Sequence, residues 1–463
     1  MITAEKALGH LYREVTGELA APAVARIVGD DPQLPGRFRV AAAAAASIGA
    51  TTLAAGELLR ARGGDPGPVS IDARHAAIAF RSERYLRVNG SSPGDIWAPL
   101  SGDYPAVDGW VKLHCNYPRH ATAVTTALDV PADREAVADA VATRTAQQVE
   151  EAVLAAGGAA AAMRSPTDWH SHPAGRAARL IPLVDIERIG ETDAPRTLPN
   201  SDRPLAGVRV LDLTHVIAGP ACGRVLAAHG ADVLHVGAAH LPTVAPLVVD
   251  HGFGKRTCHL DLRTEDGQQT LRALIADADV LIQSYRPGTL AARGFGPADL
   301  AKLRPGIITL DLSAYGHSGP WRDRRGFDSL VQMACGIADD GARVLGVEEP
   351  RPLPAQALDH GTGWLGAFGI ITALRRSLAE GGSWQIRVAL ARTAAWLDDL
   401  GRTLATRPEA PDPGPEEVAD LLAETQSQIG LVRHVSVPGD LPGAPPRWSH
   451  GPHIAGSDPA VWW

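Results

Sequence analysis

Asp359 opens the segment with the clearest chemical potential. In "PLPAQALDHGTGWLGAFGIITALRRS", Pro352 to Ser377, the apolar residues Trp364, Leu365, Phe368, Ile371 and Leu374 recur at three- and four-residue steps. That spacing predicts a buried helix. Asp359 and His360 stand at its entrance, ahead of Gly361, Thr362 and Gly363. Two chemistries suit an acid there. As an N-cap, it accepts a backbone N–H of the first turn, and its charge matches the positive end of the helix. As a nucleophile, it meets a substrate that small neighbours allow to come close. Caps are the commoner device, so the rest of the chain must decide. His360 is its neighbour in a turn, and such neighbours point apart, which favours a packing or supporting role.

Positioning such an acid takes a scaffold. From Leu205 to about Gly316 the periodicity alternates. "GVRVLDLT", "ADVLHVG", the start of "KRTCHLDLRTEDGQQTLRALIADA", "DVLIQSY" and "GIITLDLSAYG" read as strands, with helical segments between them. This predicts an α/β fold: a doubly wound parallel sheet, a Rossmann-like large domain. Such sheets bind ligands beyond their C-terminal strand ends. "THVIAGP", "SYRPG" and "SAYGHSGP" fall there. His215 lies in a polar, small-residue loop, and faces a ligand or caps the next helix. Arg263 and Arg286 suit phosphate geometry, although a surface arginine is more often simply solvated. No G-x-G-x-x-G follows a strand, which weighs against a dinucleotide oxidoreductase.

The remaining chain divides by composition. Residues 1–95 predict a helical segment with a degenerate partial repeat. "SIGATTLAAGELLRARGGDPGPVSIDARHAAIAF" matches "GWLGAFGIITALRRSLAEGGSWQIRVALARTAAWL" as helix, Gly-rich turn, strand and helix. The early copy carries alanines where the late one has Asp359. Residues 96–190 read as a smaller α+β domain, with "PTDWHSHP" as a turn. Residues 191–204 form a linker, and 205–402 the large α/β domain. Residues 403–463 give a Pro-rich linker (Arg407 to Glu417) and an extended tail lying over another surface.

Net charge is −8, with a pI near 6.1, which argues against nucleic-acid binding. Four scattered cysteines have no metal-ligand spacing and predict a reduced, cytoplasmic protein without a metal. The apolar run "VAAAAAASIGATTLAAGELL" is dominated by small residues, so a buried helix is expected there and no membrane span.

Five segments in order resemble the class III coenzyme A transferases, the formyl-CoA and carnitine-type enzymes. They are "RPLAGVRVLDLTHVIAGPACGRVLAAHGADVLHV", "GKRTCHLDLRTEDGQ", "ADVLIQSYRPGTLAARGFG", "LSAYGHSGPWRDRRGFD" and "ALDHGTGWLGAFGIITAL". The resemblance implies a CoA-transferase acting between carboxylic acids through a covalent aspartyl intermediate at Asp359. Coenzyme A or an acyl-CoA would be substrate, with no tightly bound cofactor. It implies CoA contacts at His215, Val216, Ile217 and Ala218, at Leu260, Asp261 and Arg263, at Ser284, Tyr285 and Arg286, and at Arg325 and Asp328. Tyr285 would stack on adenine or pack beneath Pro287. It also implies an interlocked homodimer, or a heteromer with a related subunit.

The segment order departs from the family: the small-domain segment precedes the large-domain front, so the chain looks permuted. Gly237 and Ala238 replace an acid–Arg pair, and Ser284 replaces an asparagine. Phe327 stands in "GFD" where the related racemases carry a histidine base. Two further readings therefore accompany the transferase: an acyl-CoA isomerase or racemase on the same scaffold, and a non-catalytic paralogue serving as a structural partner.

Overall fold

A computed structural model describes residues 2–17, 25–403 and 412–462. Among these residues the main sheet has seven strands: β1 (Asp185–Gly190), β2 (Arg209–Leu213), β3 (Asp232–Gly237), β4 (Lys255–His259), β5 (Val280–Gln283), β6 (Ile308–Ser313) and β7 (Ser383–Ala389). They lie in the order β4-β3-β2-β5-β6-β7-β1. All pairs are parallel except β7 with β1. Val210, Leu211, Val280, Leu281, Ile282, Ile308 and Leu310 are buried, as expected where helices cover both faces of a parallel sheet. The direction of winding reverses at β2. That reversal leaves a crevice beyond the C-terminal ends of β2 and β5.

Four helices position the site: α1 (Val40–Ala61), α2 (Ala218–Ala228), α3 (Asp328–Ala334) and α4 (Ala357–Glu380). Helix α4 is buried on all sides from Ala357 to Leu374. Its glycines face close neighbours. A Cβ on Gly363 would sit 2.5 Å from the Ala218 carbonyl of α2, and one on Gly366 2.8 Å from Leu310 Cδ2. Gly363→Ala therefore drives α4 and α2 apart. We expect a loss of about 1–3 kcal/mol, read by urea unfolding. Parent-like stability would show that the helices need no such closeness.

Helix α1 is long and apolar enough to cross a membrane, yet it lies inside the molecule, where Thr51 Oγ1 donates to the Trp364 carbonyl of α4 at 3.0 Å. The two repeat copies thus meet through α1 and α4. The early strand, Ser70–Asp72, pairs with Arg26–Val28 and stays outside the main sheet. One device holds both helix mouths. Asp31 accepts from the N–H groups of Ala41 and Ala42 (3.0 and 3.2 Å), and Asp328 from those of Leu358 and Asp359 (2.8 and 2.9 Å). Counted from the helix starts, Ala42 occupies the place of Asp359.

The small unit has an antiparallel sheet, Gly102–Ala106, Gly109–Leu113 and Ala160–Ala162, covered by helices Pro118–Leu128, Arg134–Ala142 and Ala146–Ala155. Val111, Val124, Val149 and Val153 centre its own core. The expected turn at "PTDWHSHP" is instead a short helix, Pro166–Ser171. Ser165 caps it by accepting from Asp168 N, and Pro166 fills its first position.

The tail also differs from expectation: it folds back on its own chain. Leu422–Ser427 and Gly430–Val435 form a hairpin that pairs with Arg87–Val88. Trp448 Nε1 donates to the Arg224 carbonyl, and Trp462 Nε1 to that of Leu274, both at 3.0 Å. Val432 and Trp448 complete an apolar cluster with Leu86 and Phe253, which gives the tail its surface. Of the Pro-rich linker, residues 407–411 lie outside the described residues.

Candidate active site

Asp359 sits in the first turn of α4 and is 6% exposed. It is not the cap. That role belongs to Asp328, one of the residues assigned to CoA, which is 1% exposed and also accepts from Gln332 Nε2. Both Asp328 oxygens are thus engaged, one by the two N–H groups of the helix mouth and the other by Gln332. The carboxyl of Asp359, by contrast, accepts no hydrogen bond among the described residues. Burial first, then the negative charges of Asp328 and Glu83, push its pKa well above the ordinary carboxylate range. Burial also raises Asp328, to about 6, against the N–H groups it accepts. With its donors, Asp328 is the better stabilised anion, so Asp359 is the partner that holds the proton.

Glu83, which the sequence reading did not single out, reaches this mouth from the early repeat. Its Oε2 lies 3.1 Å from His360 Nε2, with both side chains buried. The His360 hydrogen bond pulls the Glu83 pKa down against the upward push of burial. His360 also stacks on Phe80 at 5.8 Å, so its supporting role is that of a tie between the two repeats.

A cleft opens beside this mouth. Thr214, His215, Val216, His235, Lys255 and Tyr117 are among its lining residues; Asp359 is not. The turn after β2 joins the two. Val216 borders the cleft with φ +73°, a left-handed conformation unusual for a β-branched residue, and Ala218 touches α4 at Gly363. Ile217 and Ala218 are buried, and neither is among the residues that line the cleft. Behind the turn, Lys255 Nζ donates to Asp212 Oδ2 and to the Pro220 carbonyl, both at 2.7 Å. Thr214 Oγ1 donates to the same carboxylate.

The assigned loops are not all brought together. His215 and Tyr285 face each other across the winding reversal, with ring centroids 6.4 Å apart. Ser284 and Tyr285 are half-buried and Arg286 is exposed. Tyr285 packs at the edge of the cluster around Leu290 and Phe295. Leu260, Asp261 and Arg263 follow β4, two strands from the reversal. Arg263 makes a bidentate pair with Asp261 (2.9 and 2.7 Å), which uses the charge that a phosphate would have met.

The small unit supplies groups that sequence reasoning did not single out. His114 stacks on Phe327 at 3.6 Å, and His120 and Tyr117 lie 5.9 and 6.1 Å from the same ring. Burial lowers His114 to about 3 and His120, His215 and His229 to about 4. All four are neutral near pH 7. In the unfolded chain each takes a proton below its ordinary value of about 6.5. The unfolded state therefore binds more protons between about pH 4 and 6.5, and these groups make stability fall as pH falls through that window. Asp31 and Asp328, both raised to about 6, act in the opposite sense. Asp359, raised well above its ordinary value, acts with these two acids, and His251, lowered well below its own, joins the histidines, which remain the more numerous. The melting temperature is expected to drop clearly from pH 7 to 5, and a rise would overturn this balance.

With the geometry in view, residues 205–419 match the family model described as CoA-transferase family III. That match takes in a little under half of the chain. The chain is 36% identical over 209 residues to "Acetyl-coenzyme A transferase nodX" of Hypoxylon pulicicidum, covering 44% of this chain and 35% of that one. An "Acyl-CoA transferase" of Gibberella moniliformis is 28% identical over 414 residues, 80% of this chain and 73% of its own. "Probable fatty acyl-CoA transferase Rv3272" of Mycobacterium tuberculosis is 33% identical over 236 residues, 47% and 59% of the two chains. Its crystal structure aligns over 43% of this chain and 59% of that one, at 31% identity and a TM-score of 0.38. The Gibberella protein excepted, the chain spans between about a third and three fifths of the length of these relatives. An alignment over 80% of this chain extends well ahead of residue 205, so the Gibberella protein shares the segment order found here.

Proposed function

We propose that the chain moves CoA between carboxylic acids through a covalent intermediate on Asp359. One observation carries the reading: at the mouth of α4 the helix is capped by Asp328, which leaves the Asp359 carboxyl without a structural partner. An ionised Asp359 oxygen attacks the thioester carbonyl. The C–S bond breaks, CoA leaves as thiolate, and a mixed anhydride remains. The thiolate then attacks the aspartyl carbonyl, releasing the first acid as carboxylate and leaving a CoA thioester on Asp359. A second carboxylate reverses the two steps. Because the resting carboxyl holds its proton above the ordinary range, transfer is favoured by rising pH. Hydroxylamine cleaves an enzyme-bound thioester, so trapping with acyl-CoA present should mark Asp359. An unmarked Asp359 in a chain that turns over acyl-CoA would overturn the mechanism.

The winding order of β2 to β7 supports the Rossmann-like reading of the large domain. Four buried free cysteines support a reducing, cytoplasmic setting. For assembly, the tail that called for a surface finds one on its own chain, and α1 lies on α4. We expect a single-chain assembly in sedimentation at micromolar concentration; a dimer would restore the interlocked reading. One observation favours a second activity. His120 has no hydrogen bond at either ring nitrogen and stays neutral beside Phe327, as a base for an acyl-CoA isomerase must. Deuterium uptake at the acyl α-carbon in heavy water, lost in His120→Ala, would establish it.

A further inference from the structure

Three arginines stand beside rings that line or adjoin the cleft, and none has a carboxylate partner among the described residues. Arg119 comes from the small unit, where its guanidinium lies 5.8 Å over the Tyr117 ring. Arg286 follows Tyr285 after β5. Arg325 stands two residues before Phe327. The rings between them fix the arrangement. Tyr117 and His215 line the same cleft; Tyr117 lies 6.1 Å from Phe327, and His215 lies 6.4 Å from Tyr285. Burial lowers the proton affinity of Arg325, and the charges of Arg286 and Arg119 lower it further. Arg119 also presses on His120 and His215. Arg324, next to Arg325 in the chain, shows the structural use of the same side chain: it pairs with Glu150 at 2.5 Å and stacks on Trp321 at 3.7 Å. In a chain with 52 acids against 44 lysines and arginines, three like charges left together without an acid mark a place for an anion.

We propose that Arg119, Arg286 and Arg325 grip one anionic group of the ligand, so that the small unit takes part in binding across the cleft. Resting on the CoA reading above, this makes Arg119 a binding residue that the family segment does not contain. Two groups on such a ligand share this chemistry: a phosphate of CoA, and a second carboxylate on a dicarboxylic acyl group. Arginine suits both, because its planar fork meets two oxygens at once.

Calorimetry with the full chain separates them. The probes are CoA, dephospho-CoA, succinyl-CoA, butyryl-CoA and inorganic pyrophosphate, titrated into the parent, Arg119→Ala and Arg119→Lys. Arg119 is exposed, so its loss leaves the fold intact. If the group is a phosphate, Arg119→Ala weakens CoA about tenfold or more, and Arg119→Lys recovers part of this. An unchanged affinity for dephospho-CoA would then identify the 3′-phosphate. If the group is a carboxylate, CoA binding is unchanged, and the preference for succinyl-CoA over butyryl-CoA falls about tenfold. A parent that binds CoA, with neither the affinity for CoA nor the preference for succinyl-CoA changed in any variant, overturns the arginine assignment alone. A parent that fails to bind CoA overturns the function proposed above, and the cluster must then still bind pyrophosphate in an Arg119-dependent way to survive.

Discussion

Asp359→Asn is expected to abolish CoA transfer while leaving the melting temperature at pH 7 equal to that of the parent or above it. The two halves of this result have different causes. An amide cannot form the anhydride, so the covalent route ends. Stability is retained because Asp359 does not hold the helix: its own N–H is taken by Asp328, and its carboxyl is crowded by the charges of Asp328 and Glu83. An acid whose folded pKa is raised favours the unfolded state once pH exceeds the unfolded value, and replacing it by a neutral group removes that penalty. Asp359→Ala should behave in the same way. A cap would lose about 1 kcal/mol in the alanine variant and little in the asparagine one. Transfer that survives in Asp359→Asn would rule out the aspartyl intermediate.

Lys255→Met should be the most destabilising single change near the site. Lys255 and Asp212 are 3% and 0% exposed at their side chains, and the ammonium is the one cation on that carboxylate among the described residues. Removing it strands a buried charge, which typically costs about 3–5 kcal/mol. The turn from Thr214 to Ala218 rests on this pair, so ligand binding should weaken along with stability. The double variant Lys255→Met with Asp212→Leu should regain much of the loss, because a well-packed apolar pair removes the stranded charge. If the single variant melts like the parent, water reaches Asp212 and the pair is not buried in solution.

The parts of this molecule that were legible in the sequence are those written in local periodicity. Val210 to Leu213 and Val280 to Ile282 announce covered parallel strands, and the recurrence of Trp364, Phe368 and Ile371 announces α4. Asp359 could be singled out because its small neighbours adjoin it in the chain. The bidentate pair of Asp261 and Arg263 was also within reach, since the two stand two residues apart. What stayed hidden depends on long-range folding. Glu83 meets His360 across 277 positions. Arg119 acquires meaning only once the small unit brings Tyr117 to the cleft. For Asp328, motif position shows that a residue adjoins a site but not which way its oxygens face. In the folded chain they face two N–H groups of α4.

The borrowed clamp at each helix mouth carries a consequence for how such a chain can diverge. Asp31 and Asp328 secure α1 and α4 from outside, so the third residue of either helix contributes no anchoring of its own. Neither position is then fixed by a need to cap its helix. Ala42 can stand in one copy and Asp359 in the other without loosening either helix. Duplication followed by silencing of one half then needs no compensating change in the core, and the silent half persists as scaffold for the working one.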